Sequence, residues 1–153
     1  MGRPRWKFWL LALFLGYCGM MLWLLLLHRI GAGPGEGACN LQPLDTVRRY
    51  LWVLRHSTEP GLRRNAMANL LGNVALFVPL GVFLPLLFAG LRKFWRFGLL
   101  ALALILALEM TQLATGLGTL DVDDLLLNLP GALLGYWLWY LLQKKDTKDT
   151  SRA

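Results

Sequence analysis

Four apolar runs divide the chain: Phe8 to Leu27, about Ala66 to Leu91, about Phe97 to Thr115, and about Asp124 to Leu142. Each is close to the roughly 20 residues that a helix needs to cross the hydrocarbon of a bilayer. Between the first two lies a polar linker from His28 to Arg64. Gly31, Gly33, Pro34, Gly35 and Gly37 make its first part turn-rich. Further on, Val47, Tyr50, Leu51 and Leu54 recur at helical spacing with Arg48, Arg49 and Arg55 between them. That pattern predicts a short amphipathic helix on the membrane surface. The expected fold is an all-α membrane protein: a four-transmembrane-helix bundle with an interfacial helix in the first external loop. Residues 1–7 form a cytoplasmic N-terminus, 8–142 the membrane domain, and 143–153 a charged, disordered cytoplasmic tail.

Polar and helix-bending residues interrupt these runs at defined places. Asn69 and Asn73 are four apart and share a helix face, with Gly72 beside them. Pro79 removes a backbone donor mid-span, so a kink is expected there, and Gly81 and Pro85 loosen the same region. Glu109 and Gln112 are three apart on the third run. In the fourth, Asn128 follows Asp124 by one turn, and Gly131 and Gly135 form a GxxxG spacing suited to close helix contact. Tyr136, Trp137, Trp139 and Tyr140 form an aromatic belt near its far end.

Composition agrees with a membrane protein. The chain is 56% hydrophobic, with mean hydropathy +0.48 and seven Trp in 153 residues. Its net charge of +7 sits at the ends of apolar runs, which points to topology and anionic lipid rather than nucleic acid. A cleaved signal peptide also begins with basic residues, but its apolar core is shorter than Phe8 to Leu27. Gly37-Ala38-Cys39 is a poor lipoprotein box, because Glu36 stands where an apolar residue belongs. Cys18 lies at membrane depth and Cys39 in the loop, so no disulfide between them is expected. Neither a CxxC nor an HExxH motif occurs, so a zinc site has no support, and the sequence identifies no cofactor either way.

Charge bias predicts both termini in the cytoplasm. Three basic residues precede the first run, three lie in the Arg92–Arg96 turn and four follow the last run. The link before the fourth run instead carries Asp121 and Asp123. The first loop is the exception, being basic yet external. This topology brings Asn69, Asn73, Glu109, Gln112, Asp121, Asp123, Asp124 and Asn128 to one outward layer. Carboxylates at such depth are expensive and need a reason. One reason is structural, with Asp121 and Asp124 serving the helix start and the amides locking helices together. The other is a water-accessible pocket for a polar ligand or lipid headgroup, with Arg55, Arg63 and Arg64 as phosphate contacts. A metal-dependent enzyme acting on a lipid-linked phosphate is a third, less supported option. The acids can hold Mg²⁺ or Mn²⁺, but no nucleophile–base pair is visible and no catalytic residue is assigned.

The ordered motifs resemble the VanZ-like family of bacterial membrane proteins. They are Asn40-Leu41-Gln42-Pro43-Leu44, Asn69-Leu70-Leu71-Gly72-Asn73, Phe77-Val78-Pro79-Leu80-Gly81, the Glu109/Gln112 pair, and Asp121-Val122-Asp123-Asp124 through Asn128, Gly131 and Gly135. The family often has an Arg just before the acidic signature, where this chain reads Gly116-Leu117-Gly118-Thr119-Leu120. If that Arg serves a binding site in the family, its role here is either missing or supplied by Arg55, Arg63 or Arg64. The resemblance implies a cytoplasmic-membrane protein with a possible link to teicoplanin-type glycopeptide resistance. Membrane lipids are the expected partners, with a cell-wall precursor or glycopeptide and oligomerisation as further options.

Single cysteines at Thr119 and Lys148, in a background lacking Cys18 and Cys39, are expected to react with an impermeant maleimide from opposite faces of the membrane. Labelling of both from the cytoplasmic side would reject the shared outward layer.

Overall fold

The computed structural model describes the backbone of residues 5–27, 39–115 and 120–150, and the side chains of 6–25, 40–115 and 121–144. The glycine-rich start of the first linker and the Gly116–Thr119 link lie outside the described residues. Helix α1 spans Arg5–Leu22 and continues as a π-helical turn, Trp23–Leu27. The two-residue strand β1 (Cys39–Asn40) precedes α2 (Asp45–His56). Then come α3 (Pro60–Leu87), a 3-10 turn at Ala89–Arg92, and α4 (Phe94–Thr115). Strand β2 (Leu120–Asp121) leads directly into α5 (Val122–Thr150).

Four helices are long and apolar enough to cross a membrane, as expected. Large apolar side chains such as Trp9, Leu15, Leu99, Leu106 and Trp137 cover the outside. Such a surface is unsuited to water and suited to lipid, and the chain is a multi-pass membrane protein. Helix α2 is the predicted amphipathic segment, and it packs against the start of α3. Thr46 is buried, Tyr50, Val53 and Leu54 are half-buried, and Arg48, Arg49, Trp52 and Arg55 are exposed.

Two boundaries differ most from the expected ones. The second long helix starts at Pro60, six residues before the expected span, because proline is at ease in the first turn where no helical donor is needed. At 28 residues it is about 42 Å long, so it projects beyond a hydrocarbon layer of about 30 Å. It remains α-helical through Pro79 and Pro85. The expected disordered tail is corrected: α5 continues to Thr150, since neither glycine nor proline interrupts the sequence after Gly135.

Helices α3 and α5 form the central pair. The backbone of Gly131 lies against the Val74 carbonyl, and Gly135 against the Val78 carbonyl. Gly81 meets the Ala132 carbonyl and the Tyr136 amide in return. Residue numbers advance together along the contact, so the two helices run parallel. Each glycine is needed here because a Cβ would occupy the space of a backbone carbonyl. Helix α4 returns between them in sequence and buries a single stripe: Phe97, Ala101, Ile105, Glu109 and Gln112. Phe97 stacks on Tyr136 with ring centroids 4.8 Å apart, and the Tyr136 hydroxyl donates to the Arg92 carbonyl at 2.6 Å. Helix α1 sits at the edge, with Tyr17 and Met21 as its buried side chains. Tyr17 ties it to α3 by donating to the Leu76 carbonyl at 2.6 Å.

Gly131→Ala and Gly135→Ala are expected to destabilise the bundle by about 1–3 kcal/mol through overpacking. Gly72→Ala, where a Cβ meets nothing within 4 Å, is expected to be neutral or to stabilise by up to about 1 kcal/mol. Thermal unfolding in detergent by circular dichroism distinguishes these outcomes.

Candidate functional site

Two aspartates at the start of α5 organise the loop end of the bundle. Asp121 is the N-cap of α5: its Oδ1 accepts from the Asp123 amide at 2.9 Å, the bond that an N-terminal helical donor otherwise lacks. The same oxygen accepts from Asn40 Nδ2 at 3.2 Å, and Oδ2 accepts from Thr46 Oγ1 at 2.7 Å. Asn40 also donates to Thr46 Oγ1 at 2.9 Å. The backbone follows the side chains, because β1 and β2 pair in parallel with Cys39 opposite Leu120 and Asn40 opposite Asp121.

Asp123 serves a different helix from its own. Its Oδ1 accepts from the Leu44 amide at 2.5 Å and its Oδ2 from the Val47 amide at 3.0 Å. These are the N-cap donor and the donor of the third residue in the first turn of α2, which has no cap from its own N-cap side chain. Leu44 holds a left-handed backbone, φ 68°, a conformation that costs a non-glycine residue about 1–2 kcal/mol. The Asp123 carboxylate offsets that cost and places a negative charge at the N-termini of both α2 and α5. It is fully buried, at 0% exposure.

The remaining polar residues divide into ties and open groups. Asn73 Nδ2 donates to Asp124 Oδ1 at 2.6 Å, linking α3 to α5. Glu109, at 4% exposure, approaches the Asp121 amide with Oε2 at 3.4 Å. Gln112 donates to the Leu25 carbonyl at 3.0 Å, inside the π-helical turn where the regular ladder is interrupted. Asn128 is buried, and its Oδ1 has no hydrogen-bond partner among the described residues. Among the described residues Asn69 bonds within its own helix, donating to the Asn65 carbonyl at 2.9 Å.

These residues do not gather into one pocket. Asp121, Asp123 and Glu109 gather around the loop, Asp124 pairs with Asn73, and Gln112 reaches α1. Asn69 stands apart and faces a groove between α1 and α3. This groove has a volume of about 530 Å³ and is lined by Tyr17, Met20, Leu24, Asn69, Gly72 and Asn73, among others. A second cavity of about 400 Å³, lined by Arg63, Arg64, Met67, Ala68 and Leu71, shares Ala68 with it.

None of the three arginines bonds to Asp121 or Asp123 among the described residues. Arg63 donates to the Leu54 and Ser57 carbonyls at 2.7 and 3.3 Å. Arg55 and Arg64 are exposed and have neither a hydrogen-bond nor an ion-pair partner among the described residues. The donors meeting Asp121 and Asp123 are neutral: the Asn40 and Thr46 side chains and backbone amides. A metal ion at these two acids would have to displace protein donors. Among the described residues, no group of three or more metal-ligating side chains is assembled. Reasoning from sequence passed over Asn40 and Thr46 as site residues. Their signal was the Asn-Leu-Gln-Pro-Leu segment running straight into the amphipathic helix.

The VanZ/LLP1 family profile matches residues 13–143, and the chain belongs to that family. No curated protein and no solved structure matches it.

Asp123→Ala is expected to remove the cap of α2 at a cost of about 1–2 kcal/mol. Hydrogen exchange should then quicken across residues 45–56 more than in α3 and α4. Asp123→Asn keeps one acceptor and should fall between the two. Unchanged protection of α2 in both variants would show that the carboxylate does not hold it.

Proposed function

We propose that this VanZ-family protein binds a lipid of the bacterial envelope in the groove between α1 and α3. The observation that carries this role is the groove itself, apolar along most of its length and bearing the amides of Asn69 and Asn73. A cleft open to the bilayer, with a few hydrogen-bonding groups at one level, suits an amphiphile whose ester or hydroxyl groups meet amides while its chain follows apolar side chains. Asn69 is the better donor and acceptor for such a ligand, since Asn73 already donates to Asp124. Family membership supports the cellular half of the proposal, an altered response to teicoplanin-type glycopeptides through the lipid or cell-wall precursor that the protein holds.

A second role is favoured for the acids. Asp121 and Asp123 meet five donors from the protein. That satisfaction supports a structural lock over a ligand pocket at their position. The two roles coexist: the acids fix the loop end, and the cavity-lining face of α3 meets lipid.

Gly72→Phe tests the groove. The site has room for a Cβ, so the variant is expected to fold. The ring should fill the groove and reduce lipid retained in native mass spectrometry roughly ten- to hundredfold. Retention equal to the wild type in the folded variant would reject the groove as a lipid site.

A further inference from the structure

One face of α3 lines cavities from its cationic start to Pro79, with α1 as the far wall of the deeper part. Arg64, Ala68, Gly72, Leu76 and Pro79 follow each other at steps of three and four, and all line the two joined cavities. At 1.5 Å per residue this stripe is about 22 Å long. That is about half the thickness of a bilayer with its headgroups, or one leaflet. Its chemistry changes with depth in the order in which a phospholipid does. Arg64 lies at the outermost level, exposed and without a partner among the described residues. Asn69 lies about 8 Å deeper by helical rise, at the depth of the acyl esters. Below it, Gly72, Leu76, Pro79 and the facing Tyr17, Met20 and Leu24 leave room for a chain.

We infer that the lipid held in this groove is anionic, a phospholipid whose phosphate is bound by Arg64 with help from Arg63. The inference rests on the lipid-binding role proposed above and adds its headgroup. Arg63 uses Nη1 on the Leu54 and Ser57 carbonyls, which fixes it at the groove mouth. A guanidinium has five N–H donors, so this anchoring does not exhaust it. Among the described residues Asp121 and Asp123 accept from neutral donors, and Asp45 pairs with Arg49. At the mouth itself Arg63 and Arg64 outnumber Glu59, the acid one turn before Arg63, so its net charge stays positive. It also accounts for basic residues in a loop where charge bias alone would not place them.

The test uses the full chain in nanodiscs of phosphatidylcholine containing a minor fraction of phosphatidylglycerol, read by native mass spectrometry after release. The wild type is expected to retain phosphatidylglycerol in preference to phosphatidylcholine. Arg64→Gln should lower that preference about fivefold while still retaining an uncharged lipid. Arg55→Gln, an equally exposed cation away from the groove, should leave it unchanged. Excess inorganic phosphate should not displace the lipid. An intact preference in Arg64→Gln, an equal loss in Arg55→Gln, or displacement by free phosphate would each overturn the inference. These results differ from failure of the groove itself, which Gly72→Phe reports for lipids of either charge.

Discussion

Helices α3 and α5 touch through backbone at Gly81, Gly131 and Gly135, and that closeness governs what the other elements can do. In a bilayer there is little hydrophobic gain from bringing helices together, so close packing and hydrogen bonds must hold them. The glycines allow the packing, and the parallel register then fixes the bonds. It sets Asp124 beside Asn73 and carries Asp121 and Asp123 to the loop end, where Asn40, Leu44, Thr46 and Val47 await acceptors. It also uses the best contact surface of α3 on α5. Helix α1 is left with the opposite side, held by Tyr17 and flanked by cavities, one of about 390 Å³ lined by Phe14, Cys18, Met21 and Leu80 among others.

Buried carboxylates are costly, and their cost explains the economy of the loop end. Asp121 and Asp123 accept hydrogen bonds from groups that would themselves be unsatisfied: an N-cap amide, a first-turn amide, a hydroxyl, a side-chain amide. Among the described residues no arginine bonds to either acid, and two helix N-termini lie against them instead. That arrangement frees the arginines of the loop for the membrane surface.

Much of this was legible in the sequence, and the limits are physical. Hydropathy and length marked four spans because the bilayer sets both. The spacing of Gly131 and Gly135 announced a close helix contact but not its partner, since Val74 and Val78 contribute carbonyls that any residue would carry. Asp121 and Asp123 stood out as acids at a membrane boundary. Their purpose did not, because the donors are mostly backbone amides about eighty residues earlier. Asn69 and Asn73 looked equivalent at one helical turn apart. Their roles separated only when α5 covered Asn73 and left Asn69 beside α1. The end of α5 was misplaced because charge along a chain indicates solvent but does not by itself break a helix.

The cap of α2 has a consequence for how the chain is made. Leu44 and Asp123 are separated by 79 positions. At synthesis rates of about 5–20 residues per second, the carboxylate emerges roughly 4–16 s after the amide it will bond. Through that interval the second and third spans can insert while α2 rests at the interface with its first-turn donors still on water. The surface helix is therefore settled by the last span to arrive, and a ribosome that stops before Asp123 leaves a product with its membrane helices begun and its loop end unfastened.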